Sequence, residues 1–156
     1  MRLRDMLFPC AVWGLACYAQ AIPAAGNVTP DGYYQAESSK PFQEVVDDLK
    51  LIISEKNFRL TGHQQIGKAI RERDGAPFPD YDVLQFCNLG YAKEYLQIDP
   101  DGVRHMPCSL AVYSKNGKVL IVTHLLSTAT GNARLDQFGV KINGLLQEMI
   151  DYAARR

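Results

Sequence analysis

The sequence predicts an α+β domain: a two-layer sandwich in which a mixed or antiparallel sheet carries its helices on one face. Three observations lead to this fold class. Apolar residues recur at helical spacing over residues 42–53 and again over residues 135–153. Between these segments apolar and polar residues alternate, as in strands with one solvated face. The dipeptide Asn116-Gly117 joins two such runs and is typical of a β-hairpin.

The predicted elements follow one another with short connections. Each is bounded by residues that favour turns or helix ends. In order, they are a strand over 33–38, a helix from Pro41 to about Asn57, a strand over 58–63, a helix over 66–73, a strand over 81–88, a helix over 89–97, a hairpin over 107–126 and a helix over 133–154.

Proline and glycine punctuate the first half of the chain. Pro41 fits the first turn of the first long helix, where its missing N–H costs little. Asn57 is a suitable stop for that helix, and Asp74-Gly75, followed by two prolines, ends the next one. The strand over 81–88 is apolar on both faces, which predicts a place near the middle of the sheet.

The hairpin has a register that can be predicted from its turn. A two-residue type I′ turn requires positive φ at both central residues, and Asn116-Gly117 meets this requirement. Counting outward from the turn, Tyr113 faces Leu120 and Ala111 faces Val122. The chain after the hairpin runs through a polar loop into the last helix.

The first 21 residues are predicted to be a signal peptide that is cut after Ala21. They contain two early arginines, an apolar run over 6–18 and an Ala-Gln-Ala cleavage pattern. The apolar run is shorter than the ~20 residues that a spanning helix needs. An uncleaved anchor and lipidation at Cys17 are the alternatives. We therefore expect a periplasmic or secreted protein that has no membrane segment after cleavage.

The rest of the chain is interpreted as a flexible leader over residues 22–30 and one domain over 31–156. Cleavage removes two of the four cysteines and leaves Cys87 and Cys108 in an oxidising compartment. The formal net charge of zero argues against a broad basic surface for nucleic acid.

Cys87 and Cys108 are the main candidates for chemistry, and the sequence leaves three interpretations open. The two residues form a disulfide or are inert buried thiols. Alternatively, Cys87 is a reactive thiol because it precedes a helix N-terminus capped by Asn88, and Cys108 resolves it. A third interpretation is a pair of soft ligands for a metal or for haem iron.

Histidines near the cysteines add candidate ligands. His105, together with Met106, precedes Cys108, whereas the hairpin register places His124 on the opposite sheet face from Cys108. His63 is expected at the surface. No hydrolase elbow, P-loop or zinc-protease motif is present in the sequence, which favours a role without catalysis. The candidate binding residues are Cys87, Asn88, Tyr91, His105, Met106 and Cys108.

Several short motifs, in this order and spacing, resemble a known family. They are Phe86-Cys87-Asn88, Asp99-Pro100, and Met106-Pro107-Cys108 leading into Val112-Tyr113. This pattern resembles the domain-of-unknown-function family 302 over about residues 34–150. Leu89 departs from the family, which often has proline there. The resemblance implies a compact α+β domain that is often dimeric, with no agreed activity.

Taken together, these features predict a small exported α+β domain that acts as a homodimeric binding or accessory module. A second copy would cover the sheet face that carries no helices. The alternative is a periplasmic thiol-redox or sulfur-handling protein that uses Cys87 and Cys108. Haem or metal binding through His105, Met106 or the cysteines is a further alternative. The sequence requires no cofactor and identifies no ligand.

Overall fold

The computed structural model describes residues 25–155, so the predicted signal peptide lies outside the described residues. The strands are β1 (Asn27–Val28), β2 (Tyr33–Ser38), β3 (Arg59–Gln65), β4 (Tyr81–Cys87), β5 (Cys108–Lys115) and β6 (Lys118–His124). The helices are α1 (Phe42–Glu55), α2 (Ile66–Asp74), α3 (Leu89–Ile98) and α4 (Ala133–Ala154), and a 3-10 helix spans Pro100–His105. None of the helices within residues 25–155 has the length and hydropathy needed to cross a membrane.

The strands form one sheet in the order β1-β2-β6-β5-β4-β3, and every neighbouring pair is antiparallel. The predicted α+β class is therefore confirmed. The place predicted for the strand over 81–88 is wrong, because β4 lies next to the edge strand β3 while β5 and β6 occupy the middle. The face of β4 that points away from the helices is apolar because it packs against an aromatic side chain of β5. Tyr81, on that face, stacks on Tyr113 of β5 with 5.9 Å between ring centroids.

The hairpin of β5 and β6 has the predicted register. Tyr113 pairs with Leu120 and Ala111 pairs with Val122. Asn116 and Gly117 have φ angles of 53° and 73°, which a type I′ turn requires. Because side chains alternate along each strand, this register determines which hairpin residues face the helices.

The main core lies between one face of the sheet and the two long helices α1 and α4. The inner stripe of α1 includes Val45, Val46 and Leu49, and all three are fully buried. They face strand residues such as Leu84 and Leu110, which are also fully buried. Burial of each such side chain contributes about 1.5–3 kcal/mol. The loops that carry the candidate site connect the helices and strands of this core.

The opposite face of the sheet carries no long helix from the part of the chain that the structure describes. Tyr33 and Tyr81 are 39% and 37% exposed there, and Phe78 packs beside Tyr81 with 5.7 Å between ring centroids. We call this surface the open face, defined by Tyr33, Phe78, Tyr81 and Tyr113. A second copy on it remains a prediction.

The N-terminal part of the domain differs from the predicted leader over residues 22–30. Within that range Asn27–Val28 form β1, which pairs with β2. The backbone N–H of Gly26 donates to Asp151 of α4 at 3.1 Å, and the Tyr34 hydroxyl donates to the same carboxylate oxygen at 2.8 Å. Folded structure therefore begins before residue 31. Local sequence does not indicate this, because the hydrogen-bonding partners lie on β2 and α4 and meet residues 26–28 only in the folded domain.

Candidate functional site

The junction between β4 and α3 is held by Asn88. Its side-chain oxygen accepts hydrogen bonds from the backbone N–H groups of Gly90 and Tyr91 at 2.9 and 3.1 Å, as predicted for a helix cap. Its amide group donates to the carbonyl of Asn57 at 2.7 Å. Asn88 thus ties α3 to the end of α1 and holds Cys87, the preceding residue, at the start of the helix.

All six predicted binding residues line one cavity of about 40 Å³. We call it the inner cavity. It lies between the ends of β4 and β5, the first turns of α3 and the middle of α4. Its wall is mostly apolar and includes Cys87, Asn88, Tyr91, His105, Met106 and Cys108. The structure therefore brings together residues that are separated by up to 21 positions in the sequence.

The α3 side of the inner cavity is held by contacts with α4. Lys141 places its ammonium group 4.5 Å from the centre of the Tyr91 ring and pairs with Glu94 at 2.9 Å. One turn further along α3, Tyr95 stacks on Phe138 with 4.9 Å between ring centroids. These contacts fix the distance between α3 and α4, and with it the width of the cavity.

Both cysteines are free thiols in the structure. The backbone of Cys108 pairs with Phe86, so Cys87 lies one position beyond the residue opposite Cys108. Burial, and after it the nearby Cys87, raises the pKa of the Cys108 thiol to about 11. Cys108 is therefore protonated at neutral pH. Whether the two residues form a disulfide remains a prediction.

A second depression adjoins the inner cavity where β5 begins and β6 ends. We call it the outer cleft, and its volume is about 260 Å³. Its polar lining residues are Arg104, His105, Cys108, Ser109, Thr123 and His124. His105, Met106 and Cys108 border both spaces.

The hairpin register partly explains the outer cleft. His124 pairs with Tyr33 and its ring meets Tyr33 edge-on at 5.1 Å, so it lies on the open face as predicted. Cys108 lies on the helix-covered face. Both nevertheless border the cleft, because the cleft lies at the end of the strands, where the two faces meet. The sequence gives no local signal that Arg104 lines the outer cleft. Its place there depends on the path of the 3-10 helix between α3 and β5.

His63 is half-buried rather than fully at the surface. Its Nε2 lies 2.6 Å from Oδ2 of Asp82, whose side chain is buried. Neither residue lines the inner cavity or the outer cleft. We interpret this pair as a structural contact between β3 and β4.

The donor atoms around the inner cavity are those that soft metal ions prefer: two cysteine sulfurs, the Met106 thioether and the His105 imidazole. Within residues 25–155, no three histidine, cysteine, aspartate or glutamate side chains converge on a point where they could hold a metal ion. A site with three protein ligands at this cavity would therefore need Met106 beside the cysteines.

Comparison with known families identifies the fold. A family described as "Domain of unknown function DUF302" matches residues 34–153. The chain belongs to this family. The DUF302 match includes every predicted binding residue, whereas β1 precedes it. The predicted family resemblance is confirmed.

A solved structure has the same DUF302 fold. It is a crystal structure of an uncharacterized conserved protein DUF302 from Bacillus stearothermophilus, with a TM-score of 0.69 and 21% sequence identity. The alignment covers 80% of this chain and 98% of that chain. At this identity the likeness shows the fold alone. A comparison with curated proteins gave no match.

Proposed function

We propose that this DUF302 domain is an exported, homodimeric binding module that holds a small ligand in its inner cavity. One observation carries the proposal: residues from the β4–α3 junction, the end of the 3-10 helix and α4 enclose a single, mostly apolar space. Ligand sites are usually concave and apolar with a few well-placed polar groups. The polar groups here are the two thiols, Asn88 and His105.

The volume of the inner cavity limits the ligand. A water molecule needs about 10–15 Å³ of such space, so about 40 Å³ admits only a few non-hydrogen atoms. This favours a small ligand, or the buried end of a larger one, over a haem group. The thiols of Cys87 and Cys108 and the thioether of Met106 favour a soft or apolar group at the contact point.

Xenon is a suitable first probe, because dry apolar cavities of adequate size bind it. We expect pressurised xenon to shift the backbone NMR signals of Cys87, Tyr91 and Cys108. Ala92 lies in the cavity wall, and Ala92→Leu should abolish the shifts by filling the space. Ala69→Leu, on the exposed side of α2, is the matched control. The proposal fails if xenon does not shift these signals or if Ala92→Leu leaves the shifts unchanged.

A thiol-redox role is the second candidate, because Cys87 and Cys108 line the same cavity from the neighbouring strands β4 and β5. The Cys87 thiolate would attack a small-molecule disulfide, form a mixed disulfide and release one thiolate. Cys108 would then give its proton to the released thiolate, attack the Cys87 sulfur and release the second thiolate, which takes a proton from water. The protein is oxidised to an internal disulfide, and the small disulfide is reduced to two thiols.

Mass spectrometry separates the two candidates. The reduced protein is incubated with oxidised glutathione, then alkylated and weighed intact. The redox role predicts rapid loss of two alkylation sites in the wild type and a stable glutathione adduct in Cys108→Ser. If both thiols remain available to alkylation after incubation, the redox role is excluded and the binding role is favoured.

Native mass spectrometry with added Cu(I) tests the metal interpretation. Bound copper would add mass to the wild-type protein, and Met106→Leu should remove that added mass.

The homodimer part of the proposal rests on the aromatic residues of the open face. A two-fold dimer would bring this face against the same face of a second copy. Tyr81 and Tyr152 are each 37% exposed, but Tyr152 lies on α4. We therefore expect Tyr81→Lys to reduce the mass measured by light scattering to that of a monomer, whereas Tyr152→Lys should not. A wild-type protein that is monomeric at high concentration would exclude the dimer.

A further inference from the structure

The outer cleft is distinguished by its charges. Its lining residues include one guanidinium group, from Arg104, and two imidazoles, from His105 and His124, and no residue among 25–155 contributes a carboxylate to it. Ser109 adds a hydroxyl group. The side chains come from three parts of the fold, since Arg104 and His105 lie on the 3-10 helix, Ser109 on β5 and His124 on β6.

Arg104 differs from Arg71 and Arg73 in its partners. Arg71 pairs with Asp80 at 2.9 Å and Arg73 pairs with Asp74 at 2.6 Å. Within residues 25–155, Arg104 forms no ion pair, and its recorded side-chain hydrogen bond is a long one of 3.4 Å to Nε2 of His105. The guanidinium group is thus available to a ligand.

The acidic residues closest in sequence to Arg104 do not line the cleft. Asp99 and Asp101 flank the start of the 3-10 helix, and the Asp99 carboxylate accepts a hydrogen bond from the backbone N–H of Asp101 at 3.0 Å. Neither residue lines the cleft. The Thr123 hydroxyl donates to the carbonyl of Ser109 at 2.8 Å, which holds the two central strands together at the cleft floor.

We infer that the outer cleft binds the anionic group of the ligand whose other end enters the inner cavity; this inference rests on the proposed function. The ligand class is a small compound that carries a carboxylate, sulfonate or phosphate group. Arginine binds such groups with two parallel hydrogen bonds. Because His105, Met106 and Cys108 border both spaces, a ligand anchored in the cleft reaches the cysteines with its remaining atoms.

Inorganic phosphate is the probe for this site. Titrations at constant ionic strength are followed by the NMR signals of the His105 and His124 side chains and the Cys108 amide. We expect Arg104→Gln to weaken phosphate binding about tenfold, since a charge-assisted hydrogen-bond pair is lost. Arg104→Lys, which keeps the charge but not the paired geometry, should weaken it less.

Arg134→Gln is the matched control. Arg134 is an exposed residue in the first turn of α4, so its substitution removes the same charge at another place, and we expect less than a twofold change. The inference is overturned if the two glutamine variants weaken phosphate binding equally, or if phosphate shifts signals elsewhere and leaves those of His105 and His124 unchanged. An unchanged amide spectrum for each variant verifies the fold.

The experiment also separates this inference from the proposed function. Ala92→Leu fills the inner cavity without touching the cleft, so it should leave phosphate binding unchanged while it abolishes xenon binding. If xenon binds but phosphate does not, the inner cavity remains a binding site and the anionic group is excluded. If phosphate binds but xenon does not, the cleft is an anion site in its own right and the link to the inner cavity is excluded.

Discussion

The helix-covered face of the sheet has two regions that are packed differently. Beneath α1, Leu49 meets a sheet surface in which Leu84 and Leu110 are fully buried. Beneath α3, at the end of the same strands, Cys108 is only partly buried and a cavity of about 40 Å³ remains. Leu110 and Cys108 lie on one strand, two residues apart, and their side chains face the same layer.

The difference shows where this fold leaves space for the proposed ligand. Protein interiors are usually close-packed, and small voids remain where the structure cannot collapse. Here Asn88 holds the start of α3, and the contacts of Lys141 and Phe138 hold α3 at its distance from α4. These interactions therefore maintain the void, and its mostly apolar wall includes two thiols, a thioether and an imidazole. The packed region supplies stability, and the incompletely packed region holds the proposed site.

The largest expected effect comes from the packed region. Leu110→Ala should lower the free energy of unfolding by about 2–5 kcal/mol, because it removes buried methyl groups and leaves a new cavity. Cys108→Ala, two residues away, should cost about 1 kcal/mol or less, since its side chain is smaller and already borders a void. Urea denaturation of both reduced proteins measures the difference. Equal losses would contradict the division into two regions.

The two regions also differ in how far the sequence predicts them. The bounds of α4 and the hairpin register follow from local patterns: a continuous apolar stripe in one case and the Asn116-Gly117 turn in the other. The six predicted binding residues are the two cysteines and four residues that lie within four positions of one of them in the sequence. What unites them into a cavity is the packing of α3 against α4, and periodicity alone does not specify that distance.

The sequence was least informative where parts distant in the chain meet. The position of β4 beside the edge, the addition of β1 and the place of Arg104 in the outer cleft all depend on long-range contacts. Arg104 has no helical or strand periodicity to indicate its direction, because it lies in a 3-10 helix that connects α3 to β5. Residues of this kind become candidates only once the fold is known.

A second prediction concerns the loop that closes both spaces. Asn143 is buried on α4, and its side chain bonds to the backbone N–H and the carbonyl of Leu126, each at 2.9 Å. Asn143→Leu leaves both backbone groups without their partner, which should cost about 2–3 kcal/mol. Gln147→Leu, one turn further along α4, is the control and should change stability by less than 0.5 kcal/mol in magnitude.

Leu126 lines both the inner cavity and the outer cleft, so Asn143→Leu also tests whether the incompletely packed region depends on this loop. We expect faster hydrogen exchange at residues 125–128 in the variant and unchanged exchange in α1. Uniformly faster exchange throughout the domain would instead mean that the two regions unfold as one unit.

The smallest expected effect is a pH dependence that belongs to the incompletely packed region. Burial, and after it the nearby Cys87, raises the pKa of Cys108 from 9.0 to about 11. Below pH 9 both the folded and the unfolded protein hold this proton, and the stabilisation is fully present. Between about pH 9 and pH 11 the unfolded thiol ionises while the folded one does not, so the free energy of unfolding falls as the pH rises. We expect a loss of about 1–2 kcal/mol from this group by pH 10.5, in proportion to the pKa difference.

Urea denaturation under reducing conditions at pH 8 and pH 10.5 should therefore show a larger decrease in the free energy of unfolding in the wild type than in Cys108→Ala. Tyr34, whose pKa is raised to about 12 by burial and by Asp151, titrates in an overlapping range, but it is present in both proteins and cancels in the comparison. Parallel decreases in the two proteins would mean that water reaches Cys108 freely, and the inner cavity would then be a solvated part of the outer cleft.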